Sequence, residues 1–169
     1  ADAPPFRLVL RQAWRKRAFV HVCAGCSLAT LAANGINLFA PTYLVRRFGM
    51  GMAEVGLAYG LVQGVATTAG VLVGGFGVDA LARRDIRWYA WGPALGAVLA
   101  APLYLLAYSR ATVASTLIFI LCGSLCVSLY WAPSFAAIQN MVEPRMRATA
   151  AALLLLLMNL LGQGLGPTV

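Results

Sequence analysis

The chain has 169 residues, 61% hydrophobic and only 11% charged, where ordinary soluble domains carry roughly 25% charge. So few charges cannot cover that much apolar side chain in water, and so apolar a chain does not stay unfolded; a soluble domain and intrinsic disorder are both excluded, leaving a multi-pass membrane protein. The net charge of +8 sits in Arg residues at the edges of apolar runs, which points to topology and to anionic membrane lipid rather than to nucleic acid.

The chain opens on Ala1 rather than Met and has no signal-peptide pattern, so it reads as a piece of a longer chain. Residues 1–17 form a linker opened by Pro4 and Pro5. Arg7, Arg11 and Arg15 share one helical face, and Phe6, Leu10 and Trp14 lie on a neighbouring one. That pattern predicts a short helix along the cytoplasmic membrane surface.

Charge-free gaps divide the rest of the chain. Uncharged stretches of 28, 24, 22 and 32 residues separate Arg17 from Arg46, Glu54 from Asp79, Arg87 from Arg110 and Arg110 from Glu143, and 22 more come after Arg147. About 20 apolar residues suffice for a helix to cross a ~30 Å hydrocarbon layer. Irregular backbone cannot face lipid, and barrel strands would alternate polar with apolar residues. Residues 18–169 are therefore predicted to form an all-α transmembrane bundle, with spans over about 18–45, 55–78, 88–109, 112–142 and 147–167.

The first span carries Cys23, Ser27, Thr30, Asn34 and Asn37 on one face, with Pro41 able to bend the helix. Two readings stand side by side: a bendable helix lining a cavity, or interhelical hydrogen bonding that only holds a bundle together. The second span has Gly56, Gly60 and Gly64 at four-residue steps, then Gly70, Gly74 and Gly75, a pattern that lets another helix come close. Tyr59, Gln63 and Thr67 form its second, polar stripe. The third span contains no Asn, Gln, Thr or charge and reads as an outer, lipid-facing helix. The fourth aligns Ser124, Ser128, Trp131, Phe135 and Gln139 around Pro133; a broken helix with polar residues at the break suits a substrate site, and a proline kink with aromatic packing is the plainer alternative. The fifth has Asn159 and Gln163 one turn apart, then Gly164, Gly166 and Pro167, which can bend or end it.

The connections alternate between two sides. Ten basic residues fall on the side of the N-terminus, among them Arg83, Arg84, Arg145 and Arg147, and three on the other, namely Arg46, Arg47 and Arg110. That asymmetry puts the N-terminus in the cytoplasm.

Catalytic chemistry finds no foothold. All five acids, Asp2, Glu54, Asp79, Asp85 and Glu143, lie at span edges, so no intramembrane carboxylate pair forms. Cys23 and Cys26 have the spacing of a thiol redox pair but lie within a span, where Cys more often acts as a small hydrophobe. His21, the only His and without a nearby carboxylate, is a poor metal ligand. No enzyme, cofactor or metal site is expected.

The loop after the second span reads Gly75-Phe-Gly-Val-Asp79-Ala-Leu-Ala82-Arg83-Arg84-Asp85. It resembles the signature cytoplasmic loop of the major facilitator superfamily: Gly, three residues, Asp, two residues, Gly, then basic residues, with Ala82 where the pattern has Gly. The stretches ARRDIRWYAWGPAL and PRMRATAAALLLLLMNLLGQGLGP look like bacterial spinster-like members of that superfamily. The resemblance covers essentially the whole chain and places it as helices seven to eleven, in the C-terminal half. It implies a cell (inner) membrane transporter working by alternating access on a small organic or amphiphilic, lysolipid-like solute. It implies a central cavity lined by helices seven, eight, ten and eleven, to which Asn34, Asn37, Tyr59, Gln63, Trp131, Gln139, Asn159 and Gln163 would contribute. It also implies a cytoplasmic latch built on Gly75, Asp79, Arg83 and Arg84 with Arg145 and Arg147, and gating bends at Pro41 and Pro133. The implied partners are membrane lipids, the N-terminal half of the same protein and the solute, with protons as a candidate coupling ion. A non-transporting five-span scaffold or assembly subunit is the competing reading.

Overall fold

The computed structural model describes residues 15–164, and the described residues contain helices and turns but no strand. The helices are α1 (Arg17–Phe48), α2 (Met52–Ala82), α3 (Trp88–Ser109), α4 (Val113–Ser128), α5 (Trp131–Asn140) and α6 (Arg147–Leu157), with a 3-10 turn at Pro144–Met146 and a π-helical turn at Met158–Gln163. Among the described residues five stretches are long and apolar enough to cross a membrane: Arg17–Phe48, Met52–Ala82, Trp88–Ser109, Val113–Asn140 and Pro144–Gly162. The surface helix expected from Arg7, Arg11, Phe6, Leu10 and Trp14 lies outside the described residues, as do Gly166 and Pro167.

Local chemistry sets the helix ends. Gly49 takes a left-handed φ of 67°, and its N–H returns to the Val45 carbonyl at 3.0 Å, which closes α1 with a residue that has no Cβ to clash. Thr112 caps α4, its hydroxyl oxygen accepting from the Ser115 N–H at 3.4 Å. Asp85 folds the α2–α3 turn by accepting from the Arg87 N–H at 2.9 Å.

The fourth span breaks at Leu129 and Tyr130, between α4 and α5, ahead of the proline. Pro133 supplies no N–H for the Leu129 carbonyl four residues back, so the helical ladder fails there rather than at the ring itself. Leu129 and Tyr130 turn instead to the i−3 carbonyls of Cys126 and Val127, both at 3.4 Å.

The chain divides into two compact units. In the unit Gly35–Pro133, α2, α3 and α4 pack together. A core of Ala40, Leu44, Val55, Tyr59, Ala107 and Ile120 has Tyr43, Phe48 and Phe119 around it. The α3 helix buries one narrow edge of Gly96, Ala100, Tyr104 and Ala107, while Trp91, Val98 and Leu105 stand exposed, as on a helix that meets lipid. The closest helix approaches are at glycines. A Cβ on Gly70 would meet the Leu125 carbonyl oxygen at 2.5 Å, one on Gly74 the Leu129 oxygen at 2.5 Å, and one on Gly96 the Cys126 oxygen at 2.4 Å. The carbonyls loosened by the break are thus flanked by bare backbone from α2 and α3. Gly56, Gly60 and Gly64, expected to admit a neighbouring helix, have nothing within 4 Å of such a Cβ among the described residues. Sequence spacing marks where a helix can be approached, and the neighbours decide where it is.

The second unit holds the segment up to Asn34 and the chain from Ser134 onward. Phe19, Cys23, Cys26, Ile138, Ala150, Leu154 and Met158 are buried. Gly162 presses on α1, where its Cβ would lie 2.6 Å from the Thr30 methyl carbon. Lys16 reaches the Met141 carbonyl just past the end of α5, a cation at a helix C-terminus.

Candidate functional site

Three of the expected cavity residues meet in the Gly35–Pro133 unit. Asn37 of α1 offers its Oδ1 to the Tyr59 hydroxyl at 2.6 Å and to the Gln63 amide, both from α2. Tyr59 is buried, and Asn37 and Gln63 are half-buried. Polar side chains in an apolar span are costly unless paired, so this cluster also fixes α2 against the middle of α1. One turn on, Pro41 lacks the N–H that would bond the Asn37 backbone carbonyl, which places a weak point of the α1 ladder beside the cluster. The Gln63 Oε1 atom is sealed from solvent and has no partner among the described residues. Trp131, at the start of α5, stacks on Tyr130 with ring centres 5.6 Å apart.

The other unit brings Asn34 to the π-helical turn. The Asn34 amide donates to the Gly162 carbonyl at 3.4 Å. Asn159 is exposed and turns its amide back to the Leu155 carbonyl of its own helix at 2.8 Å. Gln139 is half-buried on α5, and the Gln163 side chain lies outside the described ones. Cys23 and Cys26 are buried free thiols, and the Cys26 thiol is hydrogen-bonded with Ser134. No group of three His, Cys, Asp or Glu residues converges among the described residues.

At the end of α2, Asp79 is exposed, and its Oδ1 accepts from the Tyr89 hydroxyl at 2.9 Å. Arg83 and Arg84 are exposed beyond it, and Gly75, one turn back, has the Ala132 methyl 3.3 Å from where a Cβ would stand. Arg145 and Arg147, in the other unit, are exposed beside the 3-10 turn. Pro133 is fully buried. Sequence reasoning missed Tyr89: it lies ten residues from Asp79 across a turn, and only an aromatic residue near a membrane edge signals it. It also missed Gly96 and Gly162, because neither belongs to a regular small-residue stripe.

A family model described as Major Facilitator Superfamily matches residues 2–167. The chain is 36% identical over 155 residues to an MFS-type efflux pump of Mycolicibacterium smegmatis, a match covering 92% of this chain and 36% of that protein. It superposes on a solved bacterial homologue of the human lysosomal transporter Spinster, inward-facing and unoccupied, with a TM-score of 0.89 and 26% identity, covering 98% of this chain and 34% of that one. Against the inward-facing occupied form the TM-score is 0.76 and the coverage 86% and 31%. The chain thus spans about a third of the length of these relatives.

Proposed function

This chain belongs to the major facilitator superfamily, and from that premise we propose that it supplies helices seven to eleven of a secondary active transporter that works by alternating access. In this reading the N-terminus is cytoplasmic and the solute is a small organic or amphiphilic molecule, lysolipid-like as the spinster-like sequence resemblance implies. The Asn37–Tyr59–Gln63 cluster carries the reading. It gathers three polar side chains inside two apolar spans, beside the Pro41 weak point of a helix able to bend. Asn34, Trp131, Gln139, Asn159 and Gln163 are the further cavity residues that the superfamily resemblance implies. The opposite wall would come from the rest of the protein and would meet the Gly56–Gly60–Gly64 face of α2, where an added Cβ has nothing within 4 Å among the described residues.

The latch follows from charge. Asp79, exposed at the end of α2, would meet the N-terminus of a helix in the other half, where a carboxylate gains ~0.3–1 kcal/mol. Arg83 and Arg84 would join it, and Arg145 and Arg147 would meet the equivalent loop of the other half. Release of this contact would let the halves rock. The acids among the described residues, Glu54, Asp79, Asp85 and Glu143, are all exposed near helix ends. A proton-carrying acid would therefore belong to the rest of the protein, or the role would fall to His21.

A competing reading draws on the burial of Tyr59: the cluster only ties helices together in a five-span scaffold. Uptake into liposomes by the complete protein, with and without a pH gradient, separates the two. Solute accumulation that falls on Asn37→Ala while folding is retained supports the carrier. No accumulation across a panel of small organic and lysolipid solutes counts against it.

A further inference from the structure

The carboxylate of Asp79 is already engaged within its own half. Its Oδ1 accepts a hydrogen bond from the Tyr89 hydroxyl at 2.9 Å, a neutral donor on a charged acceptor. A tightly folded turn delivers the phenol. Arg84 and Asp85 donate backbone N–H groups to the Leu81 carbonyl at 3.0 and 3.2 Å, and Trp88 donates to the Asp85 carbonyl at 3.1 Å. The Asp85 side chain holds the Arg87 N–H at 2.9 Å. The helices on either side of the turn are pressed together as well: Gly92, one turn beyond Tyr89, gives the space of its missing Cβ to the Val78 methyl, 2.6 Å from where that Cβ would be. Val78 is the chain neighbour of Asp79, so the ring and the carboxylate are held in register by packing. Among the described residues Arg83 and Arg84 make no ion pair with Asp79, and Tyr89 is its one side-chain partner.

We infer that Tyr89 is a positioning residue for the latch: it holds Asp79 inside its own half and competes with the contact that Asp79 makes to the other half. The inference rests on the latch reading of Asp79. A carboxylate that accepts the phenol on one oxygen, aimed along its own turn, must give up or reorient that bond to face a helix N-terminus elsewhere. Tyr89 then stabilises the released state, and the loss of its hydroxyl favours the latched one.

The test uses the complete protein in liposomes, with a pair of spin labels across the two halves reporting the ratio of access states. Tyr89→Phe keeps the ring and its packing, and its melting temperature checks that the fold is retained. The expected result is a shift of about three- to tenfold toward the latched state, the scale of one ordinary net hydrogen bond lost at an exposed site. Asp79→Ala shifts the ratio the other way, and Tyr89→Phe added to Asp79→Ala produces no further change. If Asp79→Ala shifts the ratio while Tyr89→Phe is silent or moves it toward the released state, Tyr89 has no such role and the latch reading survives. A Tyr89→Phe shift that persists in the Asp79→Ala background also overturns the inference. If Asp79→Ala itself is silent, the latch reading falls and takes the inference with it.

Discussion

Gly74→Ala is the substitution to which this helix arrangement should be most sensitive. The new methyl would sit 2.5 Å from the Leu129 oxygen, 2.9 Å from its Cα and 3.0 Å from its carbonyl carbon. All three are backbone atoms, so no side chain can rotate away, and α2 must move off the α4–α5 break. In an open helix position, replacing Gly by Ala gains up to ~1 kcal/mol of helix propensity. Forcing an extra methyl into a tight contact costs ~1–3 kcal/mol, and backbone Cα–H···O approaches of this kind are each worth ~0.5–1 kcal/mol. We expect a net loss of about 1–3 kcal/mol, or roughly 2–10 °C in melting temperature for a chain of this size. Gly64→Ala is the control on the same helix, because a Cβ there meets nothing within 4 Å. Thermal unfolding of the 169-residue chain in detergent micelles, read by circular dichroism, compares the two. Should Gly74→Ala melt no lower than Gly64→Ala, the close approach of α2 to the break is wrong.

Other substitutions probe the same physics elsewhere. Asn37→Leu removes the acceptor shared by Tyr59 and Gln63 and should cost ~0.6–2 kcal/mol in chemical denaturation, on the scale of hydrogen bonds in membrane bundles; no loss would mean the cluster does not tie α1 to α2. Gly162→Ala would set a methyl 2.6–2.7 Å from the stiff, β-branched Thr30 side chain, so it should lower the melting temperature by several degrees, at about 1–3 kcal/mol. Gly49→Ala forces a Cβ into the left-handed region and should cost ~1–2 kcal/mol, seen as faster hydrogen exchange in the last turn of α1. Thr112→Ala removes the α4 cap and should cost ~1 kcal/mol by the same thermal assay, with Thr112→Ser close to neutral.

Much of the fold could be read from the order of residues because the bilayer punishes exceptions. A charge at mid-membrane costs at least ~2.5–3.5 kcal/mol, so charge-free gaps alone delimited the spans. Without water every backbone group must bond within its own segment, which made each span a helix. The limits of α3, Trp88–Ser109, coincide with such a gap. The loop from Gly75 to Asp85 carried the family resemblance without any structure. Pro133 announced a break, although the break itself falls at Leu129 and Tyr130, where the missing N–H is felt.

Pairing across helices was beyond the sequence. Asn34 and Asn37 look alike as polar positions on one face, yet Asn37 binds two α2 side chains while Asn34 reaches a backbone carbonyl of the π-helical turn. Gly56 and Gly74 are equally small, but only Gly74 lies against a neighbouring backbone. Asp79 stood out in the loop pattern of the sequence, and its hydrogen-bond partner Tyr89 did not. Periodicity acts within one segment and is written in the order of residues. Which surface meets which neighbour depends on how whole helices settle against each other, where a fraction of an ångström decides between contact and clash, and that was left to the tertiary structure.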